Sequence, residues 1–493
     1  MIRALASATL ALALAACAVG PNYQKPAAPG GAAPTLREGD IAQVAPTPLP
    51  EKWWRLFNDA TLDGLVERAL VNNTDLRQAA ANLQRARASL REATAGRLPT
   101  GDATAQYQRQ RTGLGGNPLS STFGGGNGPV AIENDLFTLG YDAAYEIDLF
   151  GGVSRSIEAA RADRDAAQAQ VDASRVSVAA ETARAYALAC GFASQTAVAR
   201  ETAQLQRRTL DLTQRLFRGG RGTVRDVARV QVLVEQVESQ VPTLEAERRA
   251  SLYALAVLTG VAPAEVDAAA ERCATPPSVT QAIPIGDGAA LLARRPDVRG
   301  AERTLARDVA RIGVATADLY PSIRLLGSVS LGATDAGQLG TPGSFSYSLG
   351  PLISWNFPFN GAARSRVRQA EATATGSLAA FDGTVLRALQ ETEQALARLG
   401  GIVGREAALA RATAASEQAA RISDIRFRAG AENALQLLDA ERERANARLA
   451  LAQARADRAD AQISLFKALG GGWELAPAIL ERPAAQAAAS QTR

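Results

Sequence analysis

One stretch of the sequence decides the fold: residues 137–150 read FTLGYDAAYEIDLF. Every odd-numbered position in it is apolar, whereas the even-numbered positions include Thr138, Asp142 and Glu146. Because a β-strand turns successive side chains to opposite faces, this alternation predicts a strand with one apolar and one polar face. Strands of soluble proteins usually run about five or six residues, and a membrane-spanning strand needs roughly 9–11. The length therefore predicts a membrane strand whose apolar face meets lipid.

The same pattern returns about 208 residues further along the chain. Residues 345–357 read FSYSLGPLISWNF, and Leu352 and the nearby Pro358 are the two departures from the alternation. A shorter alternating segment precedes each long one, at residues 103–111 and 322–332. We expect each pair to form a hairpin, which gives four strands per chain. Four strands cannot close, and lipid does not tolerate an open sheet edge, so several copies of the chain must complete one barrel.

Long helical segments without proline follow both strand pairs, at residues 154–217 and 362–427. At 1.5 Å per residue the first would be roughly 95 Å long, far beyond an ordinary globular helix. Their abundant alanine lets neighbouring helices approach closely at little cost in side-chain entropy. We expect each long helix to continue from its strand hairpin.

Glycines end both long helices, and a return helix follows each turn. The return helices are predicted at residues 227–258, where Pro242 should introduce a kink, and at residues 434–469. In the first of them, the apolar side chains from Val227 to Leu244 step by three and four residues, which is typical of a coiled-coil seam. Together with the recurring strands, the return helices predict an internal two-fold sequence repeat.

The N-terminus has the features of a lipoprotein signal. A positively charged start is followed by an apolar run, residues 4–16, that is too short to span a membrane as a helix. The run ends in LAAC, which resembles a lipobox that is cleaved before Cys17 and acylated there, for example with palmitate. Ala18, rather than aspartate, follows the cysteine, which in such lipoproteins implies transport to the outer membrane. The alternative is an ordinary signal peptide with an incidental cysteine.

These patterns divide the chain into six segments. They are a signal peptide (1–16), a lipid-anchored extended linker (17–52), a first structural repeat (53–260), a second linker (261–290), a second structural repeat (291–472) and a C-terminal tail (473–493). The strand hairpins are expected at about residues 100–150 and 322–359 within the two repeats.

The composition excludes several classes of function. The chain of 493 residues contains no histidine, which removes the commonest general base and metal ligand. Its net charge of +4 comes from arginines interleaved with acidic residues, which argues against nucleic-acid binding. The glycine-rich loop at residues 113–134 lacks the Gly-Lys-Ser/Thr ending of a phosphate-binding loop. We expect no enzyme activity, no cofactor and no metal.

Besides Cys17, the chain contains two cysteines, Cys190 and Cys273. A periplasmic location would permit a disulfide, but no sequence feature places the two side chains together. We expect both to pack as small apolar residues.

Five motifs carry a resemblance to a known family. They are CAVGPNY at residues 17–23 with Pro26, YEIDLFGG at 145–152, RPDVR at 295–299 with Ala301 and Glu302, IGVA at 312–315 leading to Tyr320 and Pro321, and LQLLDA at 435–440. Together they cover nearly the whole mature chain. On these motifs the chain resembles the TolC-like outer-membrane efflux proteins, in the lipid-anchored branch called NodT-type.

The resemblance implies an α+β membrane protein that forms a homotrimer. Four transmembrane strands from each of three chains would complete a twelve-stranded barrel, which a long α-helical coiled-coil barrel continues through the periplasm. Such a protein is a passive exit duct for drugs or other small molecules. It receives them from an inner-membrane pump, commonly of the resistance-nodulation-division class, through a periplasmic adaptor, and it catalyses no reaction.

Two alternatives stay open at this point. The duct could serve a type I secretion ATPase, although the lipoprotein motif argues mildly against that pump. A structural coiled-coil lipoprotein of the envelope would explain the helices and Cys17 but leaves the alternating strands without a purpose. The transported substrates cannot be predicted from this chain, because the pump selects them.

The resemblance also implies a periplasmic gate. Leu435 and Asp439, four residues apart just after the second helical tip, share one helix face and match the apolar and acidic rings that narrow the closed tunnel.

Asp226, after the first tip, matches an aspartate that relatives link to a tyrosine on another helix. Phe427 occupies the position of that tyrosine, and Glu432 that of a gate arginine found in some relatives. The closing links must therefore differ in this chain. The candidate partners are Arg229, Arg426 and Arg428.

Overall fold

The structure is a computed structural model, and it describes residues 18–29, 36–113, 131–355, 357 and 361–480. The predicted signal peptide, Cys17 and most of the glycine-rich loop lie outside these residues. Two compact units make up the chain. The first contains Met1–Lys25, Arg85–Asp165 and Arg303–Ala379; the second contains Pro26–Gln84, Ala166–Glu302 and Ala380–Arg493.

The described residues form six β-strands and ten α-helices. The strands are β1 (Val44–Ala45), β2 (Thr100–Gly113), β3 (Ala131–Ile147), β4 (Ile283–Pro284), β5 (Ser322–Ala333) and β6 (Phe345–Ser354). The helices are α1 (Ala60–Asn72), α2 (Thr74–Ala95), α3 (Gly152–Arg218), α4 (Val224–Glu238), α5 (Gln240–Leu258), α6 (Ala268–Glu271), α7 (Gly288–Arg294), α8 (Pro296–Ala317), α9 (Ala362–Arg428) and α10 (Ala434–Ala468).

The first unit is built around one antiparallel sheet with the strand order β2-β3-β5-β6. The pairing of β2 with β3 and of β5 with β6 confirms the two predicted hairpins. The register aligns the apolar rows, since Tyr141 of β3 lies opposite Val329 of β5, which lies opposite Tyr347 of β6. The last strand ends at Ser354, earlier than predicted, and the indole N–H of Trp355 donates to the carbonyl of Leu319 at 3.1 Å.

The other face of the sheet carries polar side chains that interact across the strands. The hydroxyl oxygens of Ser328 and Ser348 lie 2.8 Å apart. The Arg324 guanidinium lies 3.2 Å from the Glu146 carboxylate. The sheet therefore separates apolar from polar side chains, as the alternation predicts. β2 and β6 are its outer strands, and within the described residues each has one edge that no other strand covers.

The two long helices, α3 and α9, each contain 67 residues. The return helix of the first hairpin is interrupted at Ser239, between α4 and α5, just before Pro242. This break confirms the predicted effect of the proline. Among the helices of the described residues, none combines the length and apolar character needed to cross a membrane.

Aromatic residues form the centre of the core of the second unit. The rings of Trp53 and Phe466 stack with their centroids 4.7 Å apart, and both side chains are fully buried. Burial of such a side chain contributes roughly 1.5–3 kcal/mol to folding. Alanines of α3, including Ala179 and Ala183, are also fully buried in this cluster. Small side chains therefore line the long helix where it packs against its neighbours.

The structure joins Cys190 and Cys273 in a disulfide, with their Cα atoms 5.1 Å apart. The expectation that both cysteines pack as separate apolar side chains is therefore wrong. Cys190 lies within α3, and Cys273 lies in the segment after α6, 83 residues further along the chain. The bond ties this connecting segment to the long helix inside the second unit.

Candidate functional site

The tips of the two helical hairpins are sharply defined by their turns and caps. Gly220 and Gly430 both adopt positive φ, at 72° and 76°, just after α3 and α9 end. Such a backbone conformation favours glycine because it has no Cβ. A capping box formed by Asn433 and Gln436 then starts α10. These local signals place Leu435 and Asp439 in the first turns of the return helix.

Leu435 and Asp439 lie on the exposed face of α10, as their four-residue spacing predicts. Leu435 is 47% exposed, and the Asp439 side chain is 54% exposed. Leu437 and Leu438 are buried on the other side of the same turns. In the isolated chain, both candidate gate residues therefore have a free surface that a second copy or a pore could use.

The Asp439 carboxylate has a partner on its own helix. A guanidinium nitrogen of Arg442 lies 3.2 Å from Asp439 Oδ1, three residues further along. Both side chains are about half exposed, and an exposed pair of this kind contributes roughly 0–1 kcal/mol. The negative charge of Asp439 is therefore partly balanced by Arg442 on the same helix.

Asp226 caps helix α4. Its carboxylate accepts hydrogen bonds from the Thr223 hydroxyl at 2.6 Å and from the Thr223 backbone N–H at 3.1 Å. The Thr223 side chain in turn accepts from the Asp226 N–H, which completes a capping box. These hydrogen bonds lower the pKa of the Asp226 carboxyl below its ordinary value. The spacing Thr-x-x-Asp is a sequence signal for this local role.

Two of the three candidate arginines pair with carboxylates near the second tip. Arg426 Nε lies 2.7 Å from Glu432 Oε1, across the turn between α9 and α10. Arg428 lies 3.0 Å from Asp424, one turn back in α9. Arg229 is exposed on α4.

Arg448 connects both hairpins, and the sequence analysis did not identify it. This residue of α10 lies 3.0 Å from Glu201 of α3 and 3.1 Å from Glu417 of α9. Its side chain is 26% exposed, so the two ion pairs are partly shielded from water. It therefore links the return helix to the long helices of both hairpins within the second unit.

Glu441 is a second residue that the sequence analysis missed. It is only 8% exposed and pairs with Arg444 on its own helix. Burial raises the pKa of the Glu441 carboxyl above its ordinary value, and the charge of Asp424 adds to this rise while Arg444 opposes it. The signal was present in the sequence, since Glu441 falls at helical spacing between the buried Leu438 and Ala445.

The apolar face of the sheet is the second candidate functional surface. Leu349 and Ile353 of β6 are 75% and 66% exposed. Phe345 and Trp355 stand at the two ends of this row, about 34 Å apart along an extended strand. In a membrane barrel, a strand tilt of 35–45° would reduce this to about 24–28 Å along the barrel axis, which matches the roughly 25 Å apolar band of such barrels. The face has the height and the composition of a lipid-facing surface.

Comparisons with known proteins agree with this geometry. The sequence model of the family described as outer membrane efflux protein matches residues 65–261 and 289–471. Outer membrane protein OprJ of Pseudomonas aeruginosa is 31% identical over 469 residues, covering 94% of this chain and 95% of that protein. Nodulation protein T of Rhizobium leguminosarum bv. trifolii is 30% identical, covering 94% and 96%. The solved outer-membrane channel OprN superimposes with a TM-score of 0.85 at 35% identity, covering 93% of this chain and 100% of that one. The chain belongs to the outer membrane efflux protein family.

Proposed function

We propose that this protein is the outer-membrane exit channel of a tripartite efflux system. Drugs or other small molecules would leave through it passively, without a catalysed reaction. The observation that carries the proposal is the sheet of the first unit, whose central strand β3 contains 17 residues and whose apolar face is exposed. A purely periplasmic coiled-coil lipoprotein would have no use for such a face, because large exposed apolar patches are rare on soluble proteins.

In the proposed assembly, three chains complete one twelve-stranded barrel. The support comes from the outer strands β2 and β6, whose uncovered edges would leave backbone groups unpaired in lipid. Pairing β6 of one chain with β2 of the next satisfies both edges and closes the sheet. The helical hairpins of the two repeats would then form the coiled-coil barrel in the periplasm.

We further propose that Cys17 is acylated after removal of residues 1–16 and anchors the extended linker in the outer membrane. Mass spectrometry of the mature protein should find the acyl groups on the N-terminal peptide. Cys17→Ser should remove them while the strands retain their own apolar belt. A wild-type mature chain without lipid would refute the anchor and leave the channel proposal intact.

At the helical tips, we propose that Leu435 and Asp439 form the narrowest rings of the resting channel. The support is their shared exposed face near the second tip. Asp226, Arg229, Arg426 and Arg428 would stabilise the tips around these rings, and Arg448 would hold the two hairpins together. Opening would then require the tips to separate.

A periplasmic adaptor and an inner-membrane pump of the resistance-nodulation-division class are the proposed partners. Crosslinking in living cells followed by purification of this chain should recover both. Recovery of a type I secretion ATPase instead would assign the duct to secretion.

The function can be tested by deleting the gene. The deletion strain should accumulate more of at least one compound from a panel of dyes and antibiotics, and a plasmid copy should restore efflux. A plasmid copy carrying a stop codon is the matched control. Unchanged accumulation and unchanged susceptibility across the panel would count against an efflux role. A heat-modifiable trimer in the outer-membrane fraction would separately exclude the structural lipoprotein.

A further inference from the structure

The short segment that follows Cys17 is docked on the first unit. The backbone N–H of Val19 donates to the carbonyl of Phe150 at 3.1 Å. Phe150 lies between the end of β3 at Ile147 and the start of α3 at Gly152. Residues 18–23, which we call the strap, therefore lie against the junction where a membrane strand becomes a long helix.

Arg155 holds the strap in place from the first turn of α3. Its Nε–H donates to the carbonyl of Val19 at 3.3 Å, and its Nη2 donates to the carbonyl of Gly20 at 3.3 Å and to Asn22 Oδ1 at 2.8 Å. Its remaining nitrogen, Nη1, donates to Glu158 at 2.8 Å. Arg155 is only 5% exposed. Because a buried guanidinium needs its donors satisfied, the arginine depends on the strap as much as the strap depends on it.

The strap also makes close backbone contacts with the strand-to-helix junction and with α8. Gly20 adopts a φ of +89°, and a Cβ added there would lie 2.6 Å from the Cα of Gly313 in α8. A Cβ added at Gly151 would lie 2.7 Å from the Cα of Ala18. A separation below 3 Å forces the backbone to move. Three of the sequence motifs therefore contact one another here: CAVGPNY, YEIDLFGG and IGVA. Their glycines permit the close approach of the backbones because they have no Cβ.

Hydrogen bonds and a ring stack hold the junction together. Asp148 accepts hydrogen bonds from the backbone N–H groups of Val153 and Ser154, at 2.9 and 2.8 Å, and so caps the start of α3. The ring of Phe150 stacks on Tyr320 with the centroids 4.7 Å apart. Trp355 stands at the corresponding end of β6. Aromatic side chains at strand ends are typical of the membrane interface, so the strap lies at the interfacial end of the sheet.

From these contacts we propose that the strap is an intramolecular binding element and that Arg155 is its positioning residue. The first residue of the strap, Ala18, lies against Gly151 at the strand-to-helix junction, so that acyl chains on the residue before it would enter the membrane beside the barrel. This inference rests on the proposed acylation, but the docking itself does not require it.

Hydrogen exchange of the purified mature trimer, followed by mass spectrometry, tests the dock. In Arg155→Gln, the Val19 amide, whose N–H donates to the Phe150 carbonyl, should exchange about tenfold faster or more than in wild type, because the side chain that donates to the strap carbonyls is gone. Arg161→Gln, at an exposed position of the same helix, is the matched control and should leave the exchange of this amide unchanged. Unchanged exchange in Arg155→Gln would overturn the proposal.

A second pair of variants guards against simple misfolding of Arg155→Gln. Asn22→Ala removes one partner of the arginine, and Gly20→Ala pushes a methyl group into Gly313. Both should release the strap while the heat-modifiable trimer remains, and retention of strap protection in both would contradict the dock. Cys17→Ser separates the two parts of the inference. If its strap stays protected, docking is independent of acylation; if protection is lost, docking as described is refuted.

Discussion

Placing a charge on the apolar face of β6 should weaken insertion of the barrel. Leu349 lies four residues from Phe345 in the row that ends at Trp355, so it falls near the middle of the proposed apolar band. Its side chain is 75% exposed on the single chain, and lipid would cover it in the membrane. Arginine near the midplane of a membrane barrel costs about 2–4 kcal/mol, so Leu349→Arg should cost about 6–12 kcal/mol per trimer.

Ser348→Arg provides a control at the same height on the opposite face. It removes the hydrogen bond between Ser348 and Ser328, in which the oxygens are 2.8 Å apart. The loss of one such bond costs about 0.5–1.5 kcal/mol. Its guanidinium would enter the water-filled lumen and would avoid the cost of burial in lipid.

The assay is the fraction of heat-modifiable trimer in the outer membrane and the temperature at which that trimer dissociates. Leu349→Arg should lower both strongly, and Ser348→Arg should resemble wild type. Leu349→Ala, which removes apolar contacts without adding a charge, should fall between them. Equal tolerance of arginine at positions 348 and 349 would refute the assignment of the faces.

Three further predictions concern the second unit. Replacing both Cys190 and Cys273 by serine should lower the free energy of unfolding by about 4.5 kcal/mol at most, the value that the loop-entropy relation gives for a separation of 83 residues. Calorimetry measures this loss, and an unchanged unfolding temperature would show that the disulfide does not form. Leu435→Ala combined with Asp439→Ala should raise the resting single-channel conductance by removing bulk and charge from the narrowest rings, and an unchanged conductance in an intact trimer would remove both residues from the gate. Because burial raises the pKa of Glu441, its charged form destabilises the fold as pH rises through that pKa. Glu441→Gln should therefore unfold at a higher temperature than wild type at about pH 7, and the two unfolding temperatures should converge near pH 4. If the difference between the two temperatures does not change with pH, the pKa of Glu441 is not raised.

The strands and long helices could be predicted because their signals are local. The alternation in residues 137–150 has a period of two, and only a strand places such side chains on two faces. Turn glycines such as Gly430 and helix breakers such as Pro242 likewise act within a few residues of themselves. These signals also determined which faces of the sheet are apolar, and the strand register confirms it.

The disulfide could not be predicted because it depends on distant parts of the chain. Cys190 and Cys273 meet only when the segment after α6 folds back against the middle of α3. No spacing rule specifies that path. The ion pairs of Arg448 with Glu201 and Glu417 could not be predicted for the same reason. They form only when three separate helices pack together.

For the two candidate gate residues, the sequence could predict a shared helix face, while their role in a gate stays a prediction. The exposed face shared by Leu435 and Asp439 follows from helical spacing, and the structure agrees. Glu441 was missed because glutamate in a helix is usually exposed, although its spacing from Leu438 and Ala445 places it on their buried face. The role of Asp226 in the gate stays a prediction, while its role in capping α4 follows from its hydrogen bonds with Thr223.

Single-channel recording of the purified trimer in planar lipid bilayers tests the central claim most directly. The wild-type trimer should give discrete current steps, and the double variant Leu435→Ala with Asp439→Ala should give larger ones. Both proteins should first be shown to be heat-modifiable trimers inserted in the bilayer. If neither inserted trimer carries any current, the chain does not form a channel.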